Sequence, residues 1–135
     1  MQPVHINTVA FLLAVVAKFA LGWAWYSPML FLRPWQQLTG VTDERMRGGM
    51  AKSLAIWVVG AFVMTFVLVH AIRYAGATGA AQGAAVGFFN WLGFVLIVIL
   101  EEYAAAKYAF KLVAIKSGAY LVELVVMGII LASWA

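Results

Sequence analysis

Two ionisable residues lie deep inside long apolar stretches, and they are the strongest candidates for chemistry in this sequence. Glu123 lies near the middle of one stretch, and Lys18 lies close to the middle of another. An ionised side chain at the centre of a bilayer costs roughly 2.5 to 3.5 kcal/mol on insertion scales, so such a group must be paired, neutral or in contact with water. Because the two residues have similar depths, we predict a contact between Lys18 and Glu123.

Other polar residues repeat at helical spacing in the same stretches. Asn7 and Lys18 are eleven residues apart, as are Asn90 and Glu101. Eleven residues at about 100° each return a side chain to within roughly 20° of the same face. The pattern predicts a polar axis through the membrane, formed by Lys18, Asn90, Glu101 and Glu123, with Asn7, Glu102 and Lys116 as additional candidates.

Each of these groups also has an interpretation without a functional role. Lys116, Glu101 and Glu102 lie close to the ends of their stretches, where long side chains can reach the interface. The Lys18–Glu123 pair is open to three interpretations. It is a purely structural ion pair, it takes part in moving protons, ions or a charged solute, or its two members lie in unrelated environments.

The composition indicates an integral membrane protein. Of 135 residues, 66% are hydrophobic and only 10% are charged, which is far from the usual range of soluble domains. Apolar stretches over residues 4–26, 51–73, 82–103 and 112–134 are each long enough to cross a hydrocarbon core of about 30 Å. We therefore predict an all-α polytopic membrane protein in which residues 1–135 form a single domain of four transmembrane helices.

An aromatic boundary ends the first span. Trp and Tyr prefer the interface between lipid and water, where the ring is buried and its polar atom stays hydrated. Pro28 lacks an N–H and disfavours helix at the residue before it, so the chain should turn there and continue as an amphipathic interfacial segment over residues 28–38. The predicted interfacial residues are Trp23, Trp25, Tyr26, Pro28 and Trp35.

The basic residues of the connections predict the orientation. The first connection and its flank carry Arg33, Arg45, Arg47 and Lys52, the third carries Lys107 and Lys111, and the opposite side has only Arg73. By the positive-inside rule, the first and third connections face the cytoplasm and both termini lie outside it. Topology and anionic lipids thus explain the net charge of +4, and nucleic acid is not an expected partner.

A glycine repeat predicts close packing between helices. Gly79, Gly83 and Gly87 are spaced four residues apart, and Gly128 is part of a weaker pattern in the fourth span. Small residues at this spacing allow two backbones to approach, which favours helix association in lipid. The contact is expected either within one subunit or between subunits.

Motifs for catalysis and for cofactors are missing from the sequence. It contains no HExxH, no GxSxG, no Walker loop and no cysteine, and the adjacent Glu101 and Glu102 point about 100° apart on a helix. His5 and His70 lack a third ligand that would suggest a metal site. We therefore expect no enzyme activity, no metal and no cofactor.

Several short motifs resemble a known family. They are WYSP at residues 25–28, PW at 34–35, LTGVTDE at 38–44, AGAT at 75–78, GFFNWLGF at 87–94 and LVELVVMGIILASW at 121–134. In this order they are similar to a family of small bacterial four-helix membrane proteins that is classed only as a domain of unknown function. The resemblance implies a four-span architecture with an amphipathic first connection, and it implies no activity and no site residues.

Two hypotheses for function follow from these observations. The first is a small transport or permeation protein that uses the polar axis of intramembrane charges. The second is a structural or accessory subunit that packs against a larger membrane complex through the glycine repeat and the interfacial aromatic residues. Either way, we expect contacts with membrane lipids, and association as a homo-oligomer or within a larger complex.

The orientation can be tested by cysteine labelling, since the chain has no native cysteine. Single cysteines at Gln2 and Ala135 should react with membrane-impermeant reagents added outside intact cells, whereas a cysteine at Gly49 should react only after permeabilisation. Labelling of Gly49 alone in intact cells would show the opposite orientation.

Overall fold

The computed structural model describes residues 2–134, so the label site predicted at Ala135 lies outside the described residues. Within residues 2–134 the chain forms helices and turns, with no β-strand. The elements in chain order are α1 (Thr8–Trp25), α2 (Leu32–Thr39), α3 (Asp43–Gly48), α4 (Met50–Tyr74), α5 (Gly79–Trp91), a π-helical segment (Leu92–Leu96), α6 (Ile97–Ala106) and α7 (Phe110–Ser133).

Across the described residues, four helical stretches are long and apolar enough to cross a membrane, which confirms the predicted fold class. They are Thr8–Trp25, Met50–Tyr74, Gly79–Ala106 and Phe110–Ser133. The first begins later than the predicted residue 4, because the side chain of Asn7 accepts a hydrogen bond of 3.1 Å from the backbone N–H of Ala10 and caps the helix. Asn7 is therefore a helix cap in this fold and does not reach the Lys18–Glu123 contact.

The first connection contains two short helices that are linked by side-chain hydrogen bonds. The chain turns after Ser27 and enters α2, which lies in the predicted interfacial segment, and α2 ends at Gly40 with a φ of 74°. Asp43, at the start of α3, accepts hydrogen bonds from Gln36 at 2.8 Å and from Arg33 at 3.3 Å. These two partners, Gln36 foremost, lower the pKa of Asp43, and their hydrogen bonds link α2 to the start of α3.

Helix α7 is the centre of the bundle. It packs most extensively against α5 and α1 and also contacts α4, and more of its residues are buried than in any other described helix. Two tryptophans from its neighbours bond to its backbone: Trp25 donates its indole N–H to the carbonyl oxygen of Ile115 at 3.0 Å, and Trp91 donates to that of Ser117 at 2.7 Å. In lipid, such bonds between helices add to the packing that holds them together.

The predicted glycine contact joins α5 to α7 within one subunit. A side chain at Gly83 would collide with the carbonyl oxygen of Gly128, and one at Gly87 would collide with the carbonyl oxygen of Leu124. Gly79 takes no part in this contact, because it begins α5 with a φ of 79° and has open space where a side chain would lie. The repeat therefore supplies two contact residues and a helix start, and its contact is intramolecular.

This contact gives a matched pair of alanine variants. Gly83→Ala should destabilise the protein by about 1 to 3 kcal/mol, because the added methyl group forces the α5 and α7 backbones apart. The control is Gly60→Ala in α4, where a side chain would meet nothing within 4 Å, so that change should be neutral or stabilising. Thermal unfolding in mild detergent would measure both, and equal stability of the two variants would contradict the packing role of Gly83.

Candidate functional site

The predicted ion pair is present between α1 and α7. The Nζ atom of Lys18 lies 3.3 Å from the Oε2 atom of Glu123, and the two side chains are only 14% and 5% exposed. The contact predicted from their depths is thus confirmed. A charge-assisted hydrogen bond between buried groups strongly reduces the free energy that each would cost alone in lipid.

A glycine of α1 makes room for the carboxylate. Gly22 follows Lys18 by one helical turn, and a Cβ atom at this position would lie 2.9 Å from the Oε1 atom of Glu123. The carboxylate therefore rests against the backbone of α1, with one oxygen towards Lys18 and the other towards Gly22. The ring of Tyr120 lies beside the same pair, with its centre 5.6 Å from the Lys18 ammonium, which is within the range of a cation–π contact.

The ion pair borders a cavity of about 440 Å³ between α1, α4, α7 and the first connection. Lys18 and Glu123 line it together with Lys116, and Tyr26 and Tyr120 add two phenolic groups. Much of the remaining wall is aromatic or apolar, including Trp23, Trp35 and Trp57. The volume and the combination of an apolar lining with a few polar groups are typical of small-molecule sites.

Both charges retain unused hydrogen-bonding capacity. Among residues 2–134, Lys18 is the only donor to the Glu123 carboxylate, and it reaches Oε2 alone. The Lys18 ammonium has three N–H groups and uses one of them in this bond. A molecule in the cavity could therefore accept a hydrogen bond from Lys18 or donate one to Glu123 without first breaking the ion pair.

The structure does not assemble the full polar axis that the spacing predicted. Asn90 donates its side-chain N–H to the carbonyl oxygen of Val86 in its own helix at 2.8 Å, and Glu101 is exposed outside the cavity. The π-helical segment Leu92–Leu96 also lies between these two residues. A π-helical turn holds an additional residue, so it rotates Glu101 by roughly 100° from the face that a regular helix would give.

The remaining charged candidates form a looser pair near the end of the bundle. The Nζ atom of Lys116 lies 3.8 Å from the Oε2 atom of Glu102 and 5.4 Å from the ring centre of Tyr108. The side chains of Lys116 and Glu102 are 31% and 57% exposed, so this pair contributes little to stability. Of these residues, only Lys116 also lines the cavity.

The aromatic residues at the end of α1 have divided roles. Trp23 is 58% exposed and can contact lipid, as an interfacial residue should. Trp25 is turned inwards, since its indole bonds to α7 and its ring lies against Gly118. Tyr26 and Trp35 meet edge to face with ring centres 6.0 Å apart at the cavity wall, while Pro28 is exposed in the turn.

The sequence-based prediction missed several residues of the site, among them Gly22, Trp57 and Tyr120. A signal for Tyr120 was present, because Lys116, Tyr120 and Glu123 follow the spacing that places side chains on one face of a helix. Gly22 lies four residues after Lys18 and so shares its face. Trp57 had no such signal, since its place at the cavity depends on how α4 packs against α1.

Comparison with known families gives one match. The family described as "Protein of unknown function (DUF1761)" matches residues 9–132. The chain belongs to this family. The DUF1761 match includes both Lys18 and Glu123 and all of the cavity lining. Comparisons with curated proteins and with solved structures gave no match.

The arrangement in this DUF1761 protein can bind a polar or charged group but offers no set of metal ligands. No group of three or more His, Asp or Glu side chains that could hold a metal ion occurs among residues 2–134. What the site provides is an ammonium and a carboxylate side by side, at one end of an apolar cavity. These groups can bind a solute, exchange a proton or do both.

The energetic role of the pair can be measured with single and double variants. Glu123→Ala leaves Lys18 buried without its partner and should destabilise the protein by about 3 to 5 kcal/mol. The double variant Lys18→Met with Glu123→Leu removes both charges and should recover most of that loss. Unfolding measured in the same detergent checks both values, and a double variant as unstable as the single one would contradict a pairwise interaction.

Proposed function

We propose that this DUF1761 protein is a small transport or permeation protein that binds its solute in the cavity beside Lys18 and Glu123. The observation that carries the proposal is the position of the ion pair at the wall of a 440 Å³ cavity. In a packed interior such a pair is often replaceable by apolar residues without loss of stability, so joining α1 to α7 does not by itself account for the two charges. Charged groups that border open space inside a membrane protein instead mark solute, ion or proton pathways.

The alternative, an accessory subunit of a larger complex, has less support. It relied on the glycine repeat and the interfacial aromatic residues as a surface for a partner. However, α7 already occupies the faces of Gly83 and Gly87, and several of the aromatic residues make contacts within the subunit. Exposed apolar residues on α4, such as Val59 and Val63, are equally suited to contact lipid. Association of several copies remains compatible with transport, and we retain a homo-oligomer as part of the proposal.

The proposal includes a location and an orientation. We place the protein in a bacterial inner membrane with both termini outside the cytoplasm, because basic residues are concentrated in the first and third connections. In this orientation the cavity lies towards the cytoplasmic side, since the turn after α1 and the start of α4 form part of its wall.

Flux through reconstituted vesicles tests the proposal. Vesicles that contain the protein should show solute-dependent or pH-driven flux, followed with an entrapped pH-sensitive dye. Glu123→Gln should abolish it because the amide can neither take up a proton nor hold the charge of Lys18. Glu101→Gln is the matched control, since it makes the same chemical change at an exposed position outside the cavity, and it should leave the flux unchanged.

Two results would contradict transport. The first is an absence of any flux in the parent protein together with full stability of the Lys18→Met, Glu123→Leu double variant. This result would show that the ion pair has only a structural role. The second is equal flux in the parent and in folded Glu123→Gln, which would place the pathway elsewhere.

A further inference from the structure

We propose that the cavity selects an amphipathic organic anion, with the acid group at Lys18 and the apolar body between the tryptophans. The inference rests on the proposed function, because it names the class of solute for the same site. It follows from three independent features of the cavity: the composition of its walls, the balance of its charges and the charge of the chain beside it.

The walls are suited to an apolar or aromatic body. Trp23, Trp35 and Trp57 come from three different helices, and Tyr26 and Tyr120 complete an aromatic lining near the ion pair. Aromatic side chains offer large rigid surfaces, and a cavity of about 440 Å³ lies within the range that holds small organic molecules. A bare inorganic ion would leave most of this surface without a partner.

The charges that line the cavity favour an anion. Two ammonium groups, Lys18 and Lys116, face it against one carboxylate, Glu123. Glu123 neutralises Lys18 through a single hydrogen bond and leaves the other N–H groups of that ammonium available. Lys116 has only a half-exposed partner at 3.8 Å, so its charge can turn towards a ligand at little cost.

The chain beside the cavity is also positively charged. Met46 of α3 and Met50 at the start of α4 line the cavity, and their neighbours in sequence include Arg45, Arg47 and Lys52. These three are exposed, and none of them forms an ion pair within residues 2–134. Their charge exceeds that of Glu44, the nearest acid apart from Asp43, which is bound to Arg33. Excess positive charge at an opening raises the local concentration of anions.

An organic cation fits these features less well. The aromatic walls alone would accept one through cation–π contacts. A cation bound at the free oxygen of Glu123 would, however, place a third positive charge beside Lys18 and Lys116, with one carboxylate to balance all three. An anion instead binds to an ammonium that is already held in place by Glu123 and Tyr120.

Three soluble probes with the same body separate these possibilities. The probes are 3-phenylpropionate, 3-phenylpropanol and 3-phenylpropylammonium. They share a phenylethyl body and differ in the end group, which is anionic, neutral and cationic, respectively. Their binding to the intact protein in phosphatidylcholine nanodiscs can be followed by quenching of tryptophan fluorescence, with empty nanodiscs as the blank. We expect the anion to bind about tenfold more tightly than the alcohol or the cation. Equal binding of the three probes, or preference for the cation, would overturn the proposal.

Substitutions locate the anion within the site. Lys116→Gln is expected to weaken binding of 3-phenylpropionate severalfold, and its half-exposed position should leave folding unaffected. The control is Lys111→Gln, the same change at an exposed residue outside the cavity, which should have no effect. The double variant Lys18→Gln with Glu123→Gln removes the ion pair without leaving a lone charge, and it should lose the preference for the anion. A double variant that folds and keeps the preference would overturn the assignment of Lys18.

Anionic lipid shares the chemistry of this ligand. Adding phosphatidylglycerol to the nanodiscs distinguishes the sources: competition with 3-phenylpropionate would show that a lipid head group enters the cavity, and lack of competition would indicate a free solute.

The outcomes for this inference and for transport are separable. Selective anion binding without flux would support the proposed class of ligand and contradict transport. Flux of another solute with no preference for the anion would support transport and contradict the proposed class of ligand.

Discussion

A carboxylate in the middle of a membrane helix has to find a partner on a neighbouring helix, and this requirement fixes the centre of the structure. Glu123 is too deep for its short side chain to reach water along α7, so α1 must bring Lys18 to it. The contact also requires a small residue next to Lys18, because the carboxylate lies against Gly22. The register of α1 against α7 therefore follows from the Lys18–Glu123 pair and from the lack of a side chain at Gly22.

The other faces of α7 satisfy a different constraint. Helices in lipid gain no hydrophobic free energy from associating, so they depend on close packing and on hydrogen bonds. On the α5 side, Gly83 and Gly87 bring the two backbones into direct contact. On the α1 side, by contrast, a cavity lies between α1, α4, α7 and the first connection, with large aromatic rings in its walls. The stability gained from tight packing on one face of α7 thus offsets the packing that is lost at the open space on another face.

The sequence predicted the spans, the Lys18–Glu123 contact and the approach of Gly83 and Gly87, because each depends on a local pattern that has one physical solution in lipid. It did not predict the break of the polar axis, since a single π-helical segment between Asn90 and Glu101 changes the rotation of everything after it. It also did not predict the cavity. Open space arises from the packing of α1, α4 and the first connection together, and no local pattern specifies it.

The cavity changes the energetic argument about the ion pair itself. A buried pair in a dry core carries the full desolvation cost of both ions, and its replacement by apolar residues is often neutral or stabilising. Here the pair borders a cavity, so part of both groups faces open space instead of packed side chains, and the desolvation cost falls. The same space that lowers the cost of keeping Lys18 and Glu123 in the membrane therefore also leaves the two charges incompletely enclosed. Filling the cavity with larger side chains would have two opposed effects, because it would improve packing and at the same time isolate both charges.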